Sequence, residues 1–223
     1  MNKIEQIHKT FHEELLITCQ SYYTWKSIHN IVSSSKELYS SINENALSWS
    51  IILHSLQSTF FVSIGRILDI DSDAASIHLL FRTCKNEINL FNKQSLRARK
   101  VELCGEKAWI DKYISEAYEP KEADFCRLKN KTKKYTKLYE ESYKPIRNKV
   151  FAHKDSGYIG KTDELFTGTD ITSFEEILSS LYQVYMIIYD LYNNGRLNNF
   201  GHYKLEEKEY VLKDVTNLMN KLV

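Results

Sequence analysis

Apolar residues recur every three or four positions along most of the chain, which is the spacing of one face of an α-helix. The first such stretch runs from residue 3 to about residue 31, and a second covers about 35–43. A third, 46–68, is apolar on more than one side, as expected for a central helix of a bundle. The Ser-rich residues 33–35 and the acidic segment 69–73 contain the residue types that end or cap helices. The first third of the chain is therefore predicted to be helical.

The second part of the chain shows the same helical spacing, and its longest predicted loop is 157–170, which contains Gly, Thr and Asp. We predict further helices over about 74–91, 107–118, 121–153, 174–192 and 205–222.

Single residues mark where these helices begin or end. Gly105 and Gly195 are predicted to interrupt or end helices. Pro145 lies inside the predicted helix 121–153, where it forms either a kink or a new first turn. Thr172 and Glu175 have the spacing of a capping box in front of the helix 174–192.

The composition supports one all-helical domain. The 223 residues include only 7 Gly and 2 Pro, whereas a fold of many short strands needs frequent turn residues. Hydrophobic residues make up 43% and charged residues 26%, which is typical of a globular protein. We therefore predict an all-α fold, an antiparallel bundle of about six to eight helices, with residues 1–223 forming a single domain.

The sequence gives no sign of a membrane anchor, a cofactor or a metal site. The longest apolar runs are interrupted by Ser, Gln, His or charged residues, and the first residues are charged, so we expect no membrane span, no signal peptide and a cytoplasmic protein. The four cysteines are far apart and form no metal-binding pattern, so we expect reduced thiols in helices. Common nucleotide-binding, zinc-protease and serine-hydrolase motifs are absent. We expect no cofactor and no metal. The four cysteines are Cys19, Cys84, Cys104 and Cys126.

Positive charge is concentrated in one predicted helix. Residues 127–154 contain ten Lys and Arg against two Glu, although the net charge of the whole chain is only +1. At about 100° per residue, the lysines form one stripe and the apolar and Tyr residues, including Tyr135 and Tyr139, form another. Such a stripe is either a solvated helix face or a surface that binds the phosphates of RNA. The candidate RNA-binding residues are Lys129, Lys133, Lys137, Lys144 and Lys154.

The same helix ends in a pair of residues suited to cleaving RNA. Arg147 can hold a phosphate through its planar guanidinium, and His153, with an ordinary pKa near 6.5, can exchange a proton near neutral pH. Cleavage by the ribose 2′-hydroxyl needs a proton acceptor, a proton donor and stabilisation of an anionic transition state. The spacing alone is weak, since Arg196 and His202 repeat it within a predicted loop.

The segment IRNKVFAHKD, residues 146–155, resembles the signature of the HEPN superfamily, and R-N-K-x-x-A-H-K-D resembles its abortive-infection, AbiU-like branch. The earlier segment SIGRILDIDSDAASIHLLF is similar to the same branch. The resemblance covers about residues 45–195, which would form a HEPN-like core with helical extensions on either side. It implies an all-α bundle that often dimerises, with two Arg/His motifs meeting across a two-fold axis as one ribonuclease site.

The resemblance also implies roles for individual residues and partners. Arg147 would hold the scissile phosphate, Asn148 would be the polar residue after it, and His153 would be the acid and base. The implied function is a metal-independent endoribonuclease in phage defence, or a toxin, acting on RNA such as tRNA or mRNA. A homodimer is expected, and an antitoxin or a nucleotidyltransferase is a candidate partner. The candidate accessory residues are Arg66, Asp69, Lys149 and Asp155.

Alternatives remain at this point. On a straight α-helix Arg147 and His153 lie about 120° apart, so a kink at Pro145, fraying at Asp155 or groups from two subunits would be needed to bring them to one ligand. His153 could instead be a buried histidine at a bundle or dimer interface. Arg66 and Asp69 could form an ion pair within one helix. The domain could also be a non-catalytic helical module that binds RNA or protein.

Overall fold

The computed structural model of the protein describes residues 1–70, 75–152, 162–201 and 205–222. Within these ranges no residue forms a β-strand, so the predicted all-α class is confirmed. The helices slightly outnumber the six to eight predicted, because short helices occupy predicted loops and breaks. They are α1 (Lys3–Ser34), α2 (Lys36–Glu44), α3 (Ala46–Ile67), α4 (Ile77–Asn86), a 3₁₀-helix (Ile88–Phe91), α5 (Lys93–Cys104), α6 (Ile110–Glu116), α7 (Glu122–Leu138), α8 (Lys144–Ile146), α9 (Thr162–Phe166), α10 (Ile171–Asn194) and α11 (Glu207–Met219).

The long α1 helix is defined by its cap and by one apolar face. The Asn2 side chain accepts a hydrogen bond from the Glu5 backbone N–H at 3.1 Å, and the Glu5 carboxylate accepts one from the Asn2 N–H at 3.0 Å. This capping box satisfies backbone donors that a helix end otherwise leaves unpaired. The apolar face packs on α3, α4, α10 and α11. Its buried residues include Ile4, Ile7, Phe11, Leu15, Cys19 and Tyr22.

Helix α10 passes through the main core and is buried on more than one side. It begins at Asp170, whose carboxylate accepts a hydrogen bond from the Ser173 N–H at 2.7 Å. The predicted capping box of Thr172 and Glu175 is therefore wrong, because Asp170 caps the helix from an earlier position. The predicted end at Gly195 is confirmed, since Gly195 adopts the left-handed conformation with φ of 55°.

Helix α3 divides into a buried half and an exposed half. Phe60 and Ile64 lie in the main core, whereas Leu47 is 86% exposed and Ile51 is 68% exposed. By length and composition alone, α3 is long enough and apolar enough to cross a membrane. The expectation that no such segment exists is wrong, because Ser, Gln and His interrupt its apolar run without adding charge and Arg66 is its one charged residue.

The middle of the chain differs most from the predicted elements. The predicted helix 74–91 is divided into α4 and the 3₁₀-helix, and the predicted cap residues Asp71, Ser72 and Asp73 lie outside the described residues. Helix α5 was not predicted; it ends at Gly105, whose φ of 70° confirms a break there. The predicted loop 157–170 contains α9.

The predicted basic helix is a continuous helical path with two wider turns. After α7, residues Tyr139–Tyr143 form a π-helical segment in which the Lys144 N–H bonds the Tyr139 carbonyl five residues earlier. Pro145 lies in the first turn of α8, so its role as a new first turn is confirmed. A second π-helical segment, Arg147–Ala152, follows at once. Segments of this kind are rare and frequently occur at functional sites.

Candidate functional site

Arg147 is half-buried at the start of the second π-helical segment. Its Nη1 donates a hydrogen bond to the Asn148 Oδ1 at 2.8 Å, whereas its buried Nε has no hydrogen-bond partner. In the described part of the chain no carboxylate lies within ion-pair distance of Arg147. The guanidinium is therefore held by a neutral amide and keeps its charge available for an anion.

The structure brings Arg147 and Asn148 together, but it does not test their relation to the rest of the motif. His153, Lys154 and Asp155 lie outside the described residues. Their predicted roles stay predictions.

Gly65 in α3 makes room for the Arg147 side chain. A β-carbon at position 65 would lie 2.7 Å from the Arg147 Nε and 3.2 Å from the Tyr139 hydroxyl. The first distance is too short for any side chain to occupy without displacement. Because glycine inside a helix is destabilising relative to alanine, its presence here is explained by this close approach. Sequence analysis missed Gly65, since nothing local to α3 reveals what packs on it.

Tyr139 lies beside Arg147 and is buried, with 3% of its surface exposed. Burial raises the pKa of Tyr139 to about 12; the Arg147 charge acts in the opposite direction, and the nearby carboxylates of Asp69 and Glu140 raise it further. Tyr139 is therefore a neutral hydroxyl at physiological pH. Tyr135 and Tyr139 share the apolar stripe identified in the sequence; Tyr139 is buried in the main core, and Tyr135 is half-buried against the same core.

The two accessory candidates of α3 have different surroundings. Arg66 is exposed and forms its ion pair with Glu14 of α1, at 3.3 Å, and not with Asp69. The predicted intrahelical ion pair is therefore wrong, and the Arg66 contact joins α3 to α1. Asp69 follows the end of α3, and its charge raises the pKa of both Tyr139 and His78.

The lysines of the predicted stripe are not equivalent. Lys129 and Lys133 are exposed along α7, and Lys144 is half-buried near Pro145. Lys137 is exposed but lies 3.5 Å from Glu141, an i, i+4 pair.

Helices α4 and α7 enclose a basic groove with a volume of about 690 Å³. Lys129 and Lys133 line it from α7, and α4 contributes its own basic face. Burial lowers the pKa of His78, and the Lys129 charge lowers it further, which is the expected effect of neighbouring positive charge. Sequence analysis missed the basic face of α4, although its basic residues recur at the three- and four-residue spacing of one helix face. The residues on that face are His78, Arg82 and Lys85.

The match to a family model decides the relationship of the chain to known proteins. The model of the HEPN type described as AbiU2 matches residues 1–213. The chain belongs to the AbiU2 family of HEPN proteins. This confirms the resemblance, and the match extends beyond residues 45–195 at both ends. A search of curated proteins and a search of solved structures gave no match.

Membership of the AbiU2 family associates the chain with HEPN proteins of the abortive-infection type. In this AbiU2 protein, Arg147 and Asn148 are the described residues of the motif that carried the resemblance. The described part of the motif thus lies where α3, by way of Gly65, approaches the second π-helical segment.

In the described part of this AbiU2 chain, no group of three or more His, Cys, Asp or Glu residues could hold a metal ion. All four cysteines are free and lie in helices, as predicted. Burial raises the pKa of the Cys19 and Cys84 thiols, so these two stay protonated and unreactive.

Proposed function

We propose that this AbiU2 protein is a metal-independent endoribonuclease that acts in phage defence, or as a toxin, in the cytoplasm. The observation that carries the proposal is Arg147. Its guanidinium is half-buried, is held by the Asn148 amide at 2.8 Å and has no carboxylate partner among the described residues. A cation held in this way is suited to a phosphate, since the planar guanidinium can donate two parallel hydrogen bonds to phosphate oxygens.

The proposed reaction needs no group beyond the motif and the RNA. His153 accepts the proton of the ribose 2′-hydroxyl, which attacks the adjacent phosphorus, and the protonated His153 then gives this proton to the 5′ oxygen as the bond to that oxygen breaks. The products are a 2′,3′-cyclic phosphate and a 5′-hydroxyl. Arg147 stabilises the anionic transition state, and Asn148 orients Arg147. Lys149 and Asp155 are proposed accessory residues of the same segment.

We propose a homodimer that forms one composite site. His153 follows Arg147 by six positions, and on a straight α-helix this separation places the two side chains about 120° apart. A second copy of the chain can supply the missing group on the other side of the phosphate. An antitoxin or a nucleotidyltransferase remains a proposed regulator of the site.

The groove between α4 and α7 is the proposed path of the RNA backbone. Lys129 and Lys133 line it, and α4 adds basic side chains on the opposite wall. Ile70, three residues beyond the end of α3, also lines the groove, so the groove lies next to the helix that packs on Arg147 through Gly65. Each lysine that contacts a phosphate releases counterions and adds affinity without sequence preference. This arrangement suits a single RNA strand, whether from tRNA or mRNA.

The decisive experiment is incubation of the purified protein with total RNA in the presence of EDTA. We expect cleavage that leaves 2′,3′-cyclic phosphate ends and that is nearly abolished in His153→Ala. General acid and base catalysis contributes about 10² to 10⁴-fold, which sets the size of the loss. The matched control is His202→Ala, because His202 belongs to the second Arg/His pair with the same spacing.

Arg147→Lys tests the phosphate role separately. It keeps the charge but loses the planar fork, so we expect a strong loss of cleavage, whereas Arg127→Lys on the exposed face of α7 should cleave like the wild type. Cleavage that requires Mg²⁺, or that persists in a folded His153→Ala protein, would contradict the mechanism. RNA binding without cleavage would favour the alternative of a non-catalytic RNA-binding module.

A further inference from the structure

Two polar groups without protein partners lie side by side at Gly65. The Arg147 Nε is buried and makes no hydrogen bond. The hydroxyl of Tyr139 makes none with any described residue, although only 3% of the Tyr139 surface is exposed. Buried polar atoms almost always have a partner, so the enclosed Arg147 Nε requires an explanation, whereas the Tyr139 hydroxyl is not fully enclosed.

Both groups converge over the backbone of α3. A β-carbon at Gly65 would lie 2.7 Å from the Arg147 Nε and 3.2 Å from the Tyr139 hydroxyl, so the two side chains share one small space. The glycine leaves room for both side chains, although glycine inside a helix is destabilising relative to alanine.

Tyr143 shows what a purely structural tyrosine looks like in the same segment. It is as buried as Tyr139, and burial raises its pKa to about 12 as well. Its hydroxyl, however, donates a hydrogen bond to the Asp170 carbonyl at 2.7 Å and so ties the π-helical segment to the start of α10. Tyr139 stands four residues earlier and makes no such contact.

We propose that the Tyr139 hydroxyl is a second phosphate ligand beside Arg147, and that Gly65 provides the clearance for both. This inference rests on the proposed function and adds a neutral hydrogen-bond donor, the Tyr139 hydroxyl, to the cation Arg147. An always-charged guanidinium with an adjacent uncharged O–H is suited to a phosphodiester oxyanion, because both groups donate and neither repels negative charge. Tyr139 keeps its proton at neutral pH, since burial raises its pKa to about 12.

Tyr139→Phe, with Tyr143→Phe as its matched control, tests the inference. Tyr139→Phe removes a hydroxyl that has no protein partner, so thermal stability should be unchanged while RNA cleavage falls about 10- to 100-fold, the size expected for a hydrogen bond to a charged group. Tyr143→Phe removes a hydrogen bond of the fold, so its melting temperature should fall while cleavage by the folded protein stays near wild type.

The binding of two probes separates this inference from the proposed function. Inorganic phosphate and an uncleavable 2′-O-methyl RNA are titrated against the wild type and both variants, with thermal shift and filter binding as readouts. If the wild type binds phosphate and Tyr139→Phe binds it several-fold more weakly, the inference holds even when no cleavage is seen, and only the proposed function fails. If Tyr139→Phe binds both probes and cleaves RNA as the wild type does, the inference is wrong and the nuclease proposal stands.

Discussion

Gly65 faces Arg147 so closely that a β-carbon at position 65 would lie 2.7 Å from the Arg147 Nε. The contact joins α3 to a residue more than eighty positions later in the chain. It makes the position of the guanidinium depend on the absence of one side chain.

We therefore expect Gly65→Ala to displace Arg147 and to abolish most RNA cleavage without unfolding the protein. Alanine gains about 1 kcal/mol of helix propensity, which offsets part of the clash, and the atoms that must move belong to a flexible Arg side chain. The control is Gly168→Ala, where an added β-carbon meets nothing within 4 Å. Unfolding monitored by circular dichroism and cleavage assays on both variants give the comparison. Wild-type cleavage by Gly65→Ala would show that the contact does not position Arg147.

The basic groove gives a second prediction. Changing Lys129 and Lys133 together to Ala should weaken RNA binding for all sequences and should reduce the slope of log affinity against log salt by about 1.4, the value for two phosphate contacts of a single strand. The control is the pair Lys131 and Lys134, which lines a different cavity beside α10. Filter binding at several salt concentrations measures both slopes. Equal slopes for the two double variants would show that the groove side of α7 is only solvated.

The exposed half of α3 gives a prediction about the proposed homodimer. Leu47 and Ile51 are exposed, and the same helix contacts the motif segment through Phe61 and Phe151, whose rings stack at 4.8 Å. A second copy packed on this face would therefore bring its own motif close. We expect Leu47→Glu with Ile51→Glu to convert a dimer into a monomer in sedimentation experiments at micromolar concentration.

The control for this variant is Leu103→Glu, because Leu103 is an equally exposed apolar residue on α5. It should sediment as the wild type does. A different result would show that this face of α3 contacts a membrane. In that case the wild-type protein would be monomeric and would float with phospholipid vesicles, and the variant Leu47→Glu with Ile51→Glu would no longer bind the vesicles.

The histidines of α1 give a prediction about pH. His8 and His12 flank the ring of Tyr185, with centroid distances of 4.5 Å and 4.0 Å, and line a cavity with Glu5 and Lys9. Burial lowers the pKa of both histidines below the ordinary 6.5. The unfolded chain therefore binds more protons than the folded protein just below pH 6.5, so the free energy of unfolding is fully retained above that pH and falls as the pH decreases.

Urea denaturation between pH 5 and pH 7.5 measures this effect. His8→Gln can still donate a hydrogen bond to the Tyr185 carbonyl, which His8 contacts at 3.0 Å, but it cannot titrate. We expect a shallower dependence of unfolding free energy on pH in this variant. Parallel curves for wild type and variant would mean that protonation of His8 does not destabilise the fold.

Much of the fold could be predicted because its helices carry their signals locally. Helices α1, α3 and α10 have apolar residues at regular spacing, and their breaks contain Ser, Asp or Gly. Helix α5 was missed because its apolar residues do not fall on one face of the helix. Leu96 is the residue it buries, and this burial depends on α6 and its own small core.

The candidate site was predictable in part, because some of its residues are also marked by a local sequence pattern. Arg147 and Asn148 belong to one short motif, so a reading of the sequence finds them together. Gly65 and Tyr139 reach the site only through packing between distant segments, and no local pattern reports such contacts. The α4 side of the groove lies between these two cases. Its basic residues are regularly spaced in the sequence, but only the fold shows that they face α7 across the groove.

The π-helical segment Tyr139–Tyr143 sets the phase of Arg147 relative to α3. A wider turn accommodates one residue more than an α-helical turn, so it absorbs that residue without rotating the helical path that follows. If the same residues continued as ordinary α-helix, every later side chain would rotate by about 100° and shift by about 1.5 Å along the axis. Arg147 would then turn away from Gly65 with its identity unchanged, whereas removal of one residue together with the wider turn would leave it in place.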